Sequence, residues 1–77
     1  MSIETQLSLR QLRAFVAVYR LGKLTTAADR LSVTESAVST MLRQMESTLN
    51  LRLFDRTSRS LVPTQAAQEI IATAERI

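Results

Sequence analysis

The sequence predicts a small, mainly helical domain in which three helices are followed by a β-hairpin and one further helix. Apolar residues recur at helical spacing in four separate stretches, each opened by a Ser or Thr where a cap belongs. Between the third and fourth stretches lie two short β-compatible runs around Thr57-Ser58-Arg59-Ser60, a hairpin signal of moderate strength. The length, 77 residues, allows one hydrophobic core and little more.

Met1 to Leu7 shows no periodicity and reads as a loose tail. Ser8-Leu9-Arg10-Gln11 then has the form of a capping box. Behind it Leu9, Leu12, Phe15, Val16 and Tyr19 share one face, so the first helix runs from about Leu9 to Leu21, and Gly22, the only glycine, stands where it ends. Thr25 is the expected cap of a short second helix, Thr26 to Leu31, with Ala27, Ala28 and Leu31 inward. Small side chains at the two alanines let another helix cross closely.

Ser32 and Val33 form a turn, with Val33 buried, and Thr34 caps a third helix from Glu35 to about Leu49. Its apolar stripe is Val38, Met41 or Leu42, Met45 and Leu49, and Asn50 takes the left-handed position usually given to glycine. Its other face, from Glu35 and Ser36 through Ser39, Thr40, Arg43, Gln44 and Ser47, is polar and slim. Leu51 to Arg56 and Leu61 to Pro63 are the expected strands, Pro63 marking an end or an outer edge because it cannot donate to a ladder. Thr64 caps the last helix, whose apolar face is Ala66, Ala67, Ile70, Ile71, Ala74 and Ile77. That pattern meets no stop signal, as expected of a fragment ending inside a linker helix.

Composition narrows function mostly by exclusion. There is no cysteine and no histidine, so disulfides, thiolate metal sites and the commonest general base are absent. With no glycine-rich phosphate loop and no close carboxylate pair either, an enzyme has nowhere to carry its chemistry. Only Phe15, Tyr19 and Phe54 are aromatic, so the core must come from aliphatic residues, with Met41 and Met45 as gap-fillers. A chain this short gains stability by pairing with a second copy. The formal net charge is +3, and every cation except Lys23 is an arginine, the side chain suited to phosphate and guanine. The first residues carry Glu4 and no apolar run, and no stretch spans a bilayer, so the cytoplasm is the expected location and no membrane partner is implied.

Three helices and a hairpin in this order make a winged helix-turn-helix, mainly α with a small β wing. The major groove of DNA admits a helix with a slim polar face, which Glu35, Ser36, Ser39, Thr40 and Arg43 supply. The hairpin brings Arg56, Ser58 and Arg59, suited to the backbone or minor groove. Each residue also has a plainer reading. Thr25, Thr26 and Thr34 serve as cap hydroxyls or touch phosphate. Ser39 and Thr40 are solvated residues or DNA contacts. Arg43 meets a phosphate or pairs with Glu35 or Glu46, and Arg56 meets DNA, pairs with Asp55 or packs on the wing. Arg59, alone at the hairpin tip, favours DNA, whereas Arg10, Arg13 and Arg20 read as solvated or intramolecular.

Four blocks carry a family resemblance. Leu9-Arg10-Gln11-Leu12-Arg13-Ala14-Phe15-Val16-Ala17-Val18 resembles the opening helix of LysR-type transcriptional regulators, and Leu24-Thr25-Thr26-Ala27-Ala28-Asp29-Arg30-Leu31 their second helix. Val33-Thr34-Glu35-Ser36-Ala37-Val38-Ser39 is similar to their turn and recognition-helix start. Leu53-Phe54-Asp55-Arg56-Thr57 with Leu61-Val62-Pro63-Thr64 resembles their wing and linker start. The resemblance covers Leu9 to Ile77. It implies a tail at residues 1–7, a DNA-binding domain at 8–63 with its recognition helix at about 35–49 and wing at about 54–63, and the start of a linker helix at 64–77.

The resemblance further implies promoter DNA with an imperfect inverted repeat, and dimers formed through the linker-helix face from Ala66 to Ile77. Full-length members assemble as dimers or tetramers, and a larger C-terminal domain beyond this chain binds a small-molecule effector. No cofactor is expected in this chain itself. The departures from the family pattern fall in telling places. Glu35-Ser36 stands where Gln-Pro is most frequent, and Thr40 where Arg is frequent, so the family's usual base contacts do not transfer. Asn50 and Ala67 stand where glycine is usual. Two non-enzymatic rivals remain open: a winged-helix reader of the molybdate-regulator type, and a protein-interaction winged helix.

Overall fold

The computed structural model describes residues 7–55 and 61–76. Helix α1 (Leu9–Leu21) opens on the expected capping box. Ser8 Oγ accepts from Gln11 N at 3.1 Å, and Gln11 Oε1 accepts from Ser8 N at 3.2 Å. The helix closes at Gly22, whose φ of 76° is left-handed and whose N–H donates to Val18 O at 2.8 Å. A side chain at that φ meets its own backbone, which is why glycine belongs there.

Helix α2 (Leu24–Leu31) begins earlier than the sequence suggests. The extended residue before it is Lys23, with no side-chain cap, so Thr25 lies inside the first turn instead of capping it. The cause is Leu24, whose half-buried side chain joins the first turn to the core. Ser32 ends α2 with φ 59°. Its N–H donates to Asp29 O at 3.2 Å and Val33 N–H to Ala28 O at 3.0 Å, the paired bonds of a Schellman turn. Val33 is only partly buried, packed on the edge of the core.

Helix α3 (Glu35–Leu49) starts on Thr34, whose Oγ1 accepts from Ala37 N at 3.1 Å. It ends on Asn50 at φ 55°, with Leu51 N–H donating to Glu46 O at 3.1 Å, a second Schellman turn. Strands β1 (Phe54–Asp55) and β2 (Val62–Pro63) then pair antiparallel, Phe54 opposite Pro63 and Asp55 opposite Val62. The strands are shorter than the apolar runs because Leu51 and Arg52 are occupied in leaving α3.

Thr64 ties the hairpin to the last helix. Its N–H donates to Leu53 O at 2.9 Å, its hydroxyl to Arg52 O at 2.6 Å, and its oxygen accepts from Ala67 N at 3.3 Å. Helix α4 (Gln65–Arg76) starts there and returns along α1.

The core lies where α1, α2, α3, α4 and the hairpin base converge. Phe15, Phe54, Leu42, Met45, Leu53, Val18 and Val38 are fully enclosed. The Phe15 ring sits 5.8 Å from that of Phe54 and 6.0 Å from that of Tyr19, both tilted in the manner aromatic quadrupoles prefer. Leu42, not Met41, is the inward member of the α3 stripe. Leu7, read as part of a loose tail, is buried against this core, since its apolar side chain finds cover just before α1.

Two members of the expected dimer face of α4 need correction. Ala67 and Ala74 are buried in the chain's own core, because α4 folds back on α1 and the close approach needs small side chains there. Ala66 is half-buried, Ile70 and Ile71 pack partly on the core while keeping some exposure, and Ile77 lies outside the described residues. Among the described residues no helix is long and apolar enough to cross a membrane.

Candidate nucleic-acid interface

Burial of Val38, Leu42 and Met45 fixes which way α3 faces. With that stripe turned inward, Glu35, Ser36, Thr40, Arg43, Gln44 and Ser47 are exposed and Ser39 is half-buried. Helical spacing divides them into two rows. Glu35, Ser39 and Arg43 form one, and Ser36, Thr40 and Gln44 form the other. Apart from Glu35, Arg43 and Gln44 these are short side chains, so a broad polar surface comes within close reach of whatever the helix meets. Arg43 is exposed and has no ion pair among the described residues. The alternative partner Glu46 instead bonds the backbone of Leu53.

The start of α2 flanks this helix. Thr25 and Thr26 are exposed in its first turn, and the cap position supplies no side-chain acceptor for the turn's free N–H groups. An uncapped N-terminus carrying two exposed hydroxyls is suited to an anion. Thr34 lies at the α3 N-terminus with its oxygen already accepting from Ala37 N, so its first role is structural.

The hairpin base is held close to the same end of α2. Leu61 N–H donates to Gly22 O at 3.1 Å, and Gly22 directly precedes the α2 cap residue. The wing residues Arg56, Ser58 and Arg59 lie outside the described residues.

Residues 9–68 match the model of the family described as bacterial regulatory helix-turn-helix protein, lysR family. The chain belongs to the LysR family. Among its relatives is the HTH-type transcriptional regulator PgrR of Escherichia coli (strain K12), 44% identical over 64 residues, which cover 83% of this chain and 21% of that protein. The chain spans about a fifth of the length of the first curated relatives it matches. Solved LysR-family domains share the fold. The CbnR DNA-binding domain in complex with DNA is 30% identical with a TM-score of 0.87, covering 91% of this chain and 80% of that one. The BenM DNA-binding domain in complex with benA site 1 DNA is 31% identical with a TM-score of 0.86, covering 91% and 81%. This membership favours a LysR-type reader over one of the molybdate-regulator type.

Sequence reasoning missed one part of this LysR-type surface. Gln11 on α1 donates through Nε2 to Gln44 Oε1 on α3 at 3.2 Å, across the groove beside the Ser36–Thr40–Gln44 row. The signal was present in the spacing, because Gln44 lies one turn beyond Thr40, but which helix would cover that flank was not legible from one chain's periodicity.

Proposed function

We propose that this chain is the sequence-reading, non-catalytic DNA-binding module of a bacterial LysR-type transcription regulator acting in the cytoplasm. Helix α3 enters the major groove, with Ser39, Thr40 and their neighbours against base edges. The α2 N-terminus, through Thr25 and Thr26, and the wing, through Arg56, Ser58 and Arg59, hold the phosphate backbone. The observation that carries this reading is the slim, exposed polar face of α3 on a helix whose opposite stripe of Val38, Leu42 and Met45 is enclosed. Support comes from two LysR-family domains of the same fold whose solved structures contain DNA.

The same reading extends to the assembly. The promoter site is an imperfect inverted repeat, met by a homodimer paired through the linker helix, with Ala66, Ile70, Ile71 and Ile77 at the seam. A tetramer forms in the full-length protein, whose C-terminal domain binds the effector. Two modules at a fixed spacing supply the specificity that one module lacks.

The test is titration of the chain against a random-sequence duplex pool and against heparin over a range of salt. Binding falls steeply with salt, since each phosphate contact releases counterions. The double change Ser39→Ala/Thr40→Ala relaxes sequence preference while leaving the salt slope in place. Equal binding to heparin and to every duplex would overturn the reading in favour of a protein-interaction module.

A further inference from the structure

The groove between α1 and α3 has a donor arrangement that the proposed DNA-reading role does not use, and the inference drawn from it rests on that role. Gln11 acts in two places at once. Its Oε1 accepts from Ser8 N to close the capping box, which leaves Nε2 to reach Gln44 Oε1. The Gln44 carboxamide is thereby held with its oxygen towards α1. Its own NH2 group keeps two donors that meet no acceptor among the described residues.

Gln44 shares the groove, about 460 Å³ in volume, with Arg10, Ser36 and Thr40. Arg10 is exposed and its guanidinium likewise has no hydrogen bond or ion pair among the described residues. Among the described residues no carboxylate lines the groove. A guanidinium, a carboxamide turned donor-outward and hydroxyls, with no competing acid among the described residues, are chemistry for an anion. Adenine fits less well, since reading its edge requires one donor and one acceptor, and the Gln11 bond holds the Gln44 oxygen towards α1 and uses one of its two lone pairs. The groove borders the reading helix, where a duplex presents its backbone.

We propose that the α1–α3 groove seats one backbone phosphate beside the bases that α3 reads, with Arg10 and Gln44 as its donors. Gln11 is the positioning residue that fixes which end of the Gln44 amide faces outward.

The experiment titrates the 77-residue chain with its selected duplex at several salt concentrations. The variants are Arg10→Ala, Gln44→Met, Gln44→Lys, Gln11→Met and the double Gln11→Met/Gln44→Met, with thermal midpoints taken in parallel. Arg10→Ala lowers affinity about tenfold on every sequence, as loss of a charge-assisted bond does. It also reduces the salt slope by about 1. Gln44→Met weakens binding without altering the preferred sequence, and Gln44→Lys, which restores a donor, recovers it.

Gln11→Met weakens binding in the parent chain and has no further effect beside Gln44→Met, a coupling that loss of helix stability alone does not produce. Binding by Arg10→Ala and Gln44→Met at wild-type strength and slope would overturn the site while leaving the DNA-reading assignment intact. A loss at Gln44 confined to one base position would also overturn it, as base readout. Failure of the unaltered chain to prefer duplex would instead overturn the assignment itself, and the site with it.

Discussion

The Glu46 carboxylate of α3 accepts a hydrogen bond from the backbone N–H of Leu53 at 2.8 Å. Leu53 and Phe54 lead directly into the core, so this bond, with those from Thr64 to Leu53 O and Arg52 O, helps to set where the chain leaving α3 turns into the hairpin. The reading helix and the wing are thus fixed to each other by a side chain on the helix's last turns.

Removing that acceptor leaves a part-buried donor unsatisfied, which costs about 1–3 kcal/mol. We therefore expect Glu46→Ala to lower the thermal midpoint by several degrees, at about 4–8 °C per kcal/mol for a chain of this size. Glu46→Gln keeps a carbonyl oxygen to accept the bond and loses less. Urea denaturation of both variants measures the difference. Equal losses would mean that charge, and not the bond to Leu53, matters at this position.

Three residues with positive φ close the first three helices: Gly22 at 76°, Ser32 at 59° and Asn50 at 55°. Left-handed backbone costs an ordinary side chain about 1–2 kcal/mol. Gly22→Ala introduces that strain although open space surrounds the added methyl, so destabilisation of about 1 kcal/mol is expected from backbone alone. Ser32→Gly relieves it, partly offset by the freer unfolded chain, and should stabilise by about 0.5 kcal/mol. Asn50→Gly gains less, because asparagine tolerates this conformation better than serine. Midpoints in the reverse order would show that contacts, not φ, decide these turns.

The contrast between these turns marks what the sequence made legible. Caps and stops are local chemistry, so Ser8, Gly22, Thr34, Asn50 and Thr64 each took the role their residue type suggests. Thr25 misled because a hydroxyl before a helical run looks like a cap, whereas Leu24 gains more by burial and draws the helix start back to Lys23. The same limit applies to α4. Periodicity showed one apolar face, but not that Ala67 and Ala74 would be enclosed by α1 of the same chain. The slim row on α3 was readable from spacing alone, while its tether from Gln11 needed the tertiary fold.

Arg20 of α1 pairs with Glu75 near the end of α4, and both side chains retain solvent, at 64% and 33% exposure. An exposed pair of this kind contributes about 0.2–1 kcal/mol and is screened by salt. Its consequence is orientation, since it joins the first helix to the last one, α4. We expect Arg20→Glu to destabilise by no more than about 1 kcal/mol at low salt, with Glu75→Arg restoring most of it. A loss that persists unchanged in high salt would assign the effect to packing of the Arg20 stem against α4.

Glu35 has two roles open to it, and one substitution separates them. It stands exposed in the first turn of α3, directly after the Thr34 cap, where a carboxylate complements the helix dipole by about 0.3–1 kcal/mol. On the reading face the same carboxylate can only accept hydrogen bonds, favouring the amino group of cytosine, whereas glutamine pairs with adenine through a donor and an acceptor. We expect Glu35→Gln to move preference from cytosine to adenine at one operator position, by about 1–3 kcal/mol. Selection from random duplexes with both forms measures it, with stability measured alongside. A lower thermal midpoint with an unchanged preferred sequence would assign Glu35 to the helix dipole alone and leave base reading to Ser36, Ser39 and Thr40.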